Sequence, residues 1–583
     1  MDDAYVDAPP SAVAVPEVSA ASGAKGSAAG KVRWQTLEHK GVAFPPEYEP
    51  RGITIKIKGE DLLLSRDQEE MVYAWAKKKD THYVQDPVFQ SNFMSDFSKL
   101  LPDRFKAANM QDIDFAMAYR LVDEEKTMKE ADKERFKNLP REEKKKISLA
   151  KKGEREKLKA TFGKAMVDGV EVDIANWLVE PPGLFMGRGQ HPMRGRWKPR
   201  VKPQDVILNL GESAPVPEGS WKDVIHDHSS TWLATWIETL TDKRKYVWLH
   251  DSASLRQDND RAKYDKAKKL AEQLPRVQRE VIRRMKSKPD GRVSTVAYLI
   301  FKLAMRVGDE KDPDEADTVG ASTLRVEHIK FPKSPDGRQL LEFNFLGKDS
   351  VPWQKKLEVN SDDTRALHEN LVAFTKGKDP SVQIFDSINS RKVNAFLGSI
   401  MPGLTAKVFR TCIATYVVQD SLKKEKIDKN SSEAQKIYAA RKANLQAAIT
   451  CNHKKGVDPK NPAARKALEK FEESVAKKKE AIAAAKAEIE ARKWKTENQE
   501  KRMKERLERM EVQLKLQQDT KDYNIGTSLR NYIDPRVMKA WLNFVELDWT
   551  KVYTATLQRK FKWVEGYKDR NFRTFYPELK EKI

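Results

Sequence analysis

Two arginines in the middle of the chain occupy places where a guanidinium needs an anion. Arg306 ends an apolar stretch, residues 293–305, that predicts a buried helix, with Gly308 placed as its C-terminal cap. Arg410 falls in the first turns of a helix that Thr405 is suited to cap. A buried cation without a partner is costly, and a cation at a helix start opposes the helix dipole. Each arginine therefore calls for an anion, either an internal carboxylate or a bound phosphate.

Three further side chains could transfer a proton or attack an ester. Alternating apolar residues over 341–347 predict a β-hairpin with Lys348 at its tip, where an ammonium could donate a proton or simply be solvated. His453 follows an Ala-rich helix, and the residues alone favour a role as the C-terminal cap of that helix. Tyr532 precedes a helix start at Asp534-Pro535. It is one of 15 tyrosines, and the residues alone do not single it out.

The stretch 181–203 is a second basic region, and its Gly and Pro content excludes a regular helix. Arg188 lies between two glycines, which would let its backbone and guanidinium approach a phosphate. Basic and aromatic residues then alternate in a pattern typical of a surface that follows a nucleic-acid backbone; a structural loop is the alternative. These residues are Arg194, Arg196, Trp197, Lys198, Arg200 and Lys202.

Composition supports a polyanionic partner. The 583 residues contain 109 Lys plus Arg against 87 Asp plus Glu, a formal charge of +22, and nucleic acid is the most common partner of such a chain. The two cysteines, Cys412 and Cys451, form no CxxC pair, which argues against a structural zinc or a disulfide framework. We find neither an apolar run long enough to span a membrane nor a P-loop pattern.

The surrounding elements are expected to form three to four domain-sized units. Residues 1–30 are rich in Ala, Ser and Gly and predict a disordered tail. Residues 53–58 alternate as a half-exposed strand does, and 246–249 predict a second strand. Lys- and Glu-rich residues 125–160 predict a charged helix pair that is either solvated or used for DNA contact or nuclear targeting. Residues 260–288 favour a basic amphipathic helix.

Residues 457–521 have the apolar 3-4 spacing of two antiparallel helices in a coiled-coil hairpin, separated by a polar break near 495–500. One long helix is the alternative. The last block, 522–583, is rich in Trp and Tyr and should be compact.

Several strings, taken in order from about residue 34 to about residue 570, resemble the eukaryotic DNA topoisomerase I family, which are type IB enzymes. The strings that carry the resemblance are Glu-Pro-Pro-Gly-Leu-Phe-Met-Gly-Arg-Gly-Gln-His-Pro (180–192), Leu-Ala-Met-Arg-Val-Gly (303–308), Phe-Leu-Gly-Lys-Asp-Ser (345–350), Leu-Thr-Ala-Lys-Val-Phe-Arg-Thr (404–411), Cys-Asn-His (451–453) and Gly-Thr-Ser-Leu-Arg-Asn-Tyr-Ile-Asp-Pro-Arg (526–536).

The resemblance implies an α+β, multidomain fold that clamps duplex DNA between two lobes. It implies a DNA-binding cap lobe at 31–253 and a mainly helical catalytic core at 254–456, similar to that of tyrosine recombinases. An antiparallel coiled-coil linker at 457–521 would lead to a C-terminal domain at 522–583 that carries the active-site tyrosine.

The resemblance also implies a mechanism that uses no metal, ATP or other cofactor. Tyr532 would attack a DNA phosphorus to form a 3′-phosphotyrosine bond. Arg306, Arg410 and His453 would stabilise the non-bridging oxygens, and Lys348 would protonate the leaving 5′-oxygen. A site-specific tyrosine recombinase would use the same side chains and is the alternative function. A DNA-binding protein without catalysis is the third.

Further DNA-binding assignments follow from the same resemblance. They are Arg188, Lys245, Tyr246, Asp349 and Asn531. Three of these, Arg188, Asp349 and Asn531, match family positions that camptothecin-type inhibitors contact at cleaved DNA. The implied protein is a nuclear monomer that binds double-stranded DNA. The tyrosine string departs from the family pattern Ser-Lys-x-x-Tyr, because its basic residue is Arg530, one position later.

Overall fold

The computed structural model describes residues 32–187, 189–287, 290–309, 316–456, 462–492 and 494–578. The expected tail at 1–30 and the assignment of Arg188 lie outside these residues. The chain divides into two compact units, with Pro192–Gln257 joining the residues up to Gly187 in unit 1 and Asp258 onward forming most of unit 2.

Unit 1 combines short strands with four helices among its described residues. Its elements are β1 (Leu37–His39), β2 (Thr54–Ile57), β3 (Glu60–Leu63), α1 (Arg66–Ala76), α2 (Pro87–Phe97), β4 (Ile113–Asp114), α3 (Ala116–Asn138), α4 (Arg141–Phe162), β5 (Lys164–Val167), β6 (Val170–Asp173), β7 (Gly183–Leu184), β8 (Trp197–Lys198), β9 (Ile207–Asn209), β10 (Asp223–Ile225), β11 (Trp232–Glu238) and β12 (Lys243–Trp248). The strands predicted near 53–58 and 246–249 and the charged helix pair are present.

The sheets of unit 1 define two hydrophobic cores. One contains the four-stranded sheet β10-β9-β11-β12 and the sheet β1-β5-β6, and the other packs α1 and α2 on β3-β2-β4. In β2 the strand alternation places Ile55 and Ile57 in the core and Lys56 in solvent, as expected of a half-exposed strand. Helices α3 and α4 are largely exposed.

The basic loop of unit 1 is held by carboxylates. Arg196 forms a two-pronged pair with Asp96, with Nε–Oδ2 at 2.7 Å and Nη2–Oδ1 at 2.9 Å. Further ion pairs join Arg194 to Asp86, Arg200 to Glu70 and Lys198 to Glu180. For Arg194, Arg196 and Arg200 the structure favours the alternative of a structural loop, because each guanidinium is paired with a carboxylate within the fold.

Unit 2 is mainly helical. Its elements are α5 (Ser254–Met285, which begins just before the boundary), α6 (Gly291–Leu303), β13 (Ile329–Lys330), β14 (Leu340–Gly347), β15 (Val351–Glu358), α7 (Asp362–Thr375), α8 (Ser390–Ile400), α9 (Ala406–Lys424), α10 (Glu433–Thr450), α11 (Pro462–Glu490), α12 (Glu497–Asp519), α13 (Ile525–Asn531), α14 (Pro535–Phe544) and α15 (Ala555–Lys560). Strands β13, β14 and β15 form one antiparallel sheet.

One hydrophobic core runs through unit 2 from α5 to the C-terminal residues. It contains the whole apolar face of α6 and α9 together with residues 529–576. Gln419 of α9 links these parts by donating to the Tyr576 carbonyl at 2.9 Å and accepting from the Tyr576 N–H at 2.8 Å. The residues around Tyr532 therefore pack on the same core as the helix that precedes Arg306 and the helix that carries Arg410.

Helices α11 and α12 pack against each other antiparallel. Lys486 pairs with Glu511 at 2.7 Å, and Lys478 donates to Gln517 at 2.6 Å, closer to the base. The alternative of one long helix is wrong, because the chain turns after Glu490 and resumes at Glu497.

The base of this helix pair is closed by the backbone. Lys454 and Tyr523 form an antiparallel bridge, and the N–H of Lys455 donates to Asp522 O at 2.9 Å. In the described parts of both units, no helix has both the length and the apolar character that crossing a bilayer requires.

Candidate active site

Four of the five candidate catalytic residues line one cavity of unit 2. The cavity has a volume of about 130 Å³, and Arg306, Lys348, Arg410 and His453 contribute to its wall. The fifth residue, Tyr532, is 7% exposed and accepts a hydrogen bond at its phenol oxygen from Arg306 Nη1 at 3.1 Å. The structure thus brings together residues that are up to 226 positions apart in the chain.

Arg306 is positioned by the way α6 ends. The helix stops at Leu303, and Ala304 takes the left-handed conformation (φ 53°) that terminates it. The prediction that Gly308 caps this helix is wrong. Gly308 instead approaches Gly320 so closely that a Cβ on Gly320 would lie 2.5 Å from the Gly308 Cα.

The glycine contact fixes the segment that carries the guanidinium. Next to it, the N–H of Ala321 donates to Arg306 O at 2.9 Å, and the N–H of Ser322 donates to Val307 O at 2.8 Å. Because neither Gly308 nor Gly320 has a side chain, the two backbones can lie side by side and fix the position of Arg306.

Arg410 enters the site from α9 and is 4% exposed. Its Nη1 donates to the Ala304 carbonyl, and its Nη2 donates to Cys451 O at 2.9 Å. The guanidinium carbon lies 5.1 Å from the centre of the Tyr532 ring, and the Nε group has no hydrogen-bond partner. Thr405 is the N-cap residue of α9, as predicted, although its side chain makes no capping bond.

The charge of these two arginines is not neutralised within the described part of the chain. No carboxylate there lies within 4.0 Å of the Arg306 or the Arg410 guanidinium. Of the two partners that the sequence allows, an internal carboxylate is therefore excluded for the described residues. A buried guanidinium with spare donors is arranged to receive an anion from outside.

His453 caps a helix, as predicted, and its side chain also lies at the cavity wall. Its backbone closes α10, since Asn452 is left-handed (φ 53°) and the His453 N–H donates to Ala448 O at 2.8 Å. Its side chain faces the cavity, with Nδ1 at 2.6 Å from Ser528 Oγ and Nε2 at 3.3 Å from Arg410 Nη2. Burial, with help from the charges of Arg410 and Arg306, lowers the pKa of His453 to about 3, so the ring is neutral at pH 7.

The backbone around Tyr532 is held by its own short helix and by two other elements. The Tyr532 N–H donates to Ser528 O at 2.9 Å, as α13 ends. Thr415 of α9 donates its hydroxyl to Tyr532 O at 3.3 Å. Lys263 of α5 donates to Asn531 O at 3.3 Å. The tyrosine is thus fixed by contacts with α5 and α9 as well as by its own short helix.

The site makes the Tyr532 phenol more acidic. Burial alone would raise its pKa, but the charges of Arg410 and Arg306, and the hydrogen bond from Arg306, outweigh burial and lower the pKa of Tyr532 to about 8. Two cations around a buried phenol stabilise its anion, which is the form that attacks an ester.

Lys348 is at the tip of the β14–β15 hairpin, as predicted. The ladder closes at the pair Gly347–Val351, and both Asp349 (φ 66°) and Ser350 (φ 56°) are left-handed. Lys348 and Asp349 are exposed. The hairpin is joined to the end of α10 because Asn452 Nδ2 donates to Pro352 O at 3.2 Å.

The predicted DNA-binding residues are distributed over both units. Asp349 and Asn531 belong to unit 2 and adjoin Lys348 and Tyr532 in the chain. Lys245 and Tyr246 lie on β12 of unit 1 and are half-exposed. The Tyr246 ring lies 5.2 Å from that of Trp248 and 6.1 Å from that of Trp232, so these aromatic rings form a group on one strand pair.

Sequence reasoning missed several residues that shape the site. Ser528, Thr415 and Lys263 hold His453 and the tyrosine segment, and Lys355 donates to Leu303 O at 3.2 Å at the end of α6. Only Ser528 carried a signal, because it lies inside the tyrosine string. Within the described ranges, no group of three or more His, Cys, Asp or Glu side chains is placed to hold a metal ion.

Three family models match the chain in succession. They are described as the DNA binding fragment of eukaryotic DNA topoisomerase I (residues 32–249), its catalytic core (residues 252–489) and a C-terminal topoisomerase domain (residues 504–574). The last match contains Tyr532, and the second contains the other four candidate residues. The fold and site are thus of the class that joins a DNA-binding fragment to a topoisomerase catalytic core, in a multidomain chain of mixed helix and sheet.

Individual relatives agree along most of the sequence. The chain is 36% identical to DNA topoisomerase 1 of Drosophila melanogaster (93% of this chain, 55% of the relative) and 35% identical to DNA topoisomerase 1 alpha of Arabidopsis thaliana (92% and 59%). It is 35% identical to DNA topoisomerase 1 of Homo sapiens (93% and 72%). The chain thus spans less than two thirds of the fly and plant relatives' length. It belongs to the eukaryotic DNA topoisomerase I family.

Proposed function

We propose that this protein is a type IB DNA topoisomerase, an isomerase that relaxes supercoiled duplex DNA by cutting and resealing one strand. The observation that carries the proposal is the position of the Tyr532 phenol between two guanidinium groups that have no carboxylate partner among the described residues. Fixed positive charge around a nucleophile is what attack on a phosphodiester requires. Family membership and the DNA-binding fragment add the substrate, double-stranded DNA.

In the proposed cleavage step, the Tyr532 phenol releases its proton to water, its oxygen forms a bond to a backbone phosphorus, and the bond from phosphorus to the 5′-oxygen breaks. The phosphate stays on the protein as a 3′-phosphotyrosine, and the other strand end leaves as a 5′-hydroxyl. Reversal of the same exchange reseals the strand. Because one ester replaces another, bond energy is conserved and neither ATP nor a metal is needed for the balance.

Each remaining residue has a separate task in this scheme. Arg306 and Arg410 donate to the non-bridging oxygens, where negative charge grows as phosphorus becomes five-coordinate. His453, being neutral, donates to one of these oxygens as a hydrogen-bond donor without adding charge. Lys348, at the end of a hairpin that borders the cavity, supplies the proton to the leaving 5′-oxygen.

The domain functions are part of the same proposal. Residues 31–253 would act as the DNA-binding cap lobe, and 254–456 as a recombinase-like catalytic core. Residues 457–521 would act as a coiled-coil linker, and 522–583 as the domain that brings the tyrosine. Lys245, Tyr246, Asp349, Asn531 and Arg188 would contact DNA. A camptothecin-type inhibitor would bind beside the last three, and the protein would act as a monomer in the nucleus.

The test is a relaxation assay on supercoiled plasmid that carries no special site, in EDTA and without ATP. The wild-type protein is expected to relax it and to leave a covalent protein–DNA adduct that maps to Tyr532. Tyr532→Phe should lower relaxation by at least about 10⁴-fold, the scale of losing an enzymatic nucleophile, while DNA binding persists. An adduct on a different side chain, or full activity of Tyr532→Phe, would overturn the proposal.

A further inference from the structure

The hydroxyl of Ser528 is buried beside a ring that the proposed mechanism uses. Ser528 is 0% exposed, and its Oγ lies 2.6 Å from Nδ1 of His453. The same residue accepts the Tyr532 N–H at its carbonyl, so one residue of α13 contacts both the nucleophile's backbone and the histidine's side chain.

The hydrogen-bond pattern assigns the hydrogen of the His453 ring. Arg410 can only donate, and its Nη2 lies 3.3 Å from Nε2 of His453. Nε2 therefore presents its lone pair to Arg410, and the single hydrogen of the neutral ring is on Nδ1, where it donates to Ser528 Oγ. In this arrangement His453 has no hydrogen to offer an anion in the cavity.

The proposed reaction needs the opposite arrangement. A phosphate oxygen can only accept, so His453 must carry its hydrogen on Nε2 when DNA is bound. Nδ1 then becomes an acceptor and needs a donor, and the Ser528 hydroxyl is the group beside it. A serine hydroxyl is suited to both states, since it accepts in one and donates in the other after rotation about its C–O bond.

We propose that Ser528 is a positioning residue that lets the neutral His453 ring change tautomer when a phosphate enters the site. Nδ1 gives its proton to water and Nε2 takes one from water, so the ring stays neutral and no atom is gained or lost. Arg410 turns its Nη2 from His453 to the phosphate, and the Ser528 hydroxyl then donates to Nδ1. This inference rests on the proposed function and adds a step to it.

The direct measurement is the ¹⁵N spectrum of the full chain labelled at histidine. His453 is one of nine histidines, and the signals lost in His453→Gln identify it. Free protein should show a hydrogen on Nδ1, and Tyr532→Phe bound to an uncleaved duplex oligonucleotide should show it on Nε2. The same tautomer in both samples would overturn the inference.

The kinetic measurement is single-turnover cleavage of a duplex oligonucleotide. Ser528→Ala should slow cleavage by roughly 10- to 100-fold, the usual cost of removing a group that orients a catalytic ring, with DNA affinity unchanged. Ser528→Thr keeps the hydroxyl and should restore most of the rate. In a His453→Gln background, Ser528→Ala should have no further effect, because there is no ring left to orient.

Ser294→Ala is the matched control, because Ser294 is also 0% exposed in a helix of unit 2 but donates only to a backbone carbonyl. Equal losses in Ser528→Ala and Ser294→Ala, or equal losses with and without His453, would show a purely structural role and refute the inference. If Ser528→Ala does not fold, the ¹⁵N spectrum of His453 in the wild-type protein still tests the inference. Absence of cleavage by wild type would refute the proposed function instead.

Discussion

The basic loop of unit 1 and the cavity of unit 2 use arginine in opposite ways. In the loop, Arg194 and Arg196 each form two hydrogen bonds to one carboxylate. In the cavity, Arg306 bonds a phenol, and Arg410 bonds backbone carbonyls and keeps an Nε–H without a partner. The charges of the loop arginines are neutralised by carboxylates, whereas the charges of the cavity arginines still require an anion.

The difference teaches that local charge density is a poor guide to a phosphate site. The loop is the more basic stretch of sequence, yet its residues Arg194 and Arg196 form ion pairs that hold the fold together. The cavity receives two guanidinium groups, from α9 and from the segment after α6, and no carboxylate of the described residues lies within 4.0 Å of either. What marks the candidate site is uncompensated charge beside the Tyr532 phenol, which is a property of the folded chain.

The comparison is tested most strongly by removing one arginine from each region. Arg410→Ala should slow DNA cleavage by about 10²- to 10³-fold, because it removes a donor that stabilises the transition state. Its free energy of unfolding should change by only about 1 kcal/mol, since lost hydrogen bonds are offset by removal of a buried charge. Single-turnover cleavage and urea unfolding measure the two effects.

The partner variant, Arg196→Ala, should behave in the reverse way. It leaves the mostly buried Asp96 carboxylate without its guanidinium and should cost about 2–3 kcal/mol of unfolding free energy. Cleavage by the folded protein should remain within about twofold of wild type. A large loss of cleavage or of DNA affinity in Arg196→Ala, without loss of stability, would break the comparison.

A smaller effect is expected from displacing Arg306 rather than removing it. A Cβ at Gly320 would meet the Gly308 backbone at 2.5 Å, so Gly320→Ala must shift the segment that carries Arg306. Cleavage should fall by about 10- to 100-fold, as for a misplacement of about 1 Å. Gly398→Ala is the control, because no atom lies within 4 Å of its added Cβ in α8. Equal cleavage by the two variants would contradict the role of the glycine contact.

The smallest expected effect is a shift of the pH profile. Below a pH of about 8 the Tyr532 phenol is protonated, so cleavage at sub-saturating DNA should rise about tenfold per pH unit and level off above that value. Arg306→Gln removes a charge that lowers this pKa and should move the midpoint to higher pH. His453, with its pKa lowered to about 3, should add no inflection between roughly pH 5 and 9. An unmoved midpoint in Arg306→Gln would show that this charge does not act on the phenol.

Local patterns predicted the elements on which the site depends. The apolar helix before Arg306, the hairpin below Lys348 and the helix start at Thr405 are all present, within a few residues of the predicted bounds. These features follow from periodicity and turn residues, which act over short distances.

What local patterns missed depends on distant contacts. The partners of Arg194 and Arg196 lie 108 and 100 residues away, so their pairing could not be inferred from the loop. Tyr532 gained its identity from family resemblance, because Thr415 and Arg306, which fix it, are 117 and 226 positions distant. Ala304 was missed for a different reason, since a non-glycine residue took the left-handed end of α6.

The backbone bridge between Lys454 and Tyr523 has a consequence for how the chain can vary. The α11–α12 pair connects to the rest of unit 2 through these two bridged backbone segments. Turns can therefore be added or removed at its far end without displacing the residues at its base. The two bridged segments continue directly into His453 and Asn524, and the N–H of Asn524 donates to His453 O at 2.8 Å. The length of the α11–α12 pair can therefore change without moving His453, whereas a change at the Lys454–Tyr523 bridge would move it.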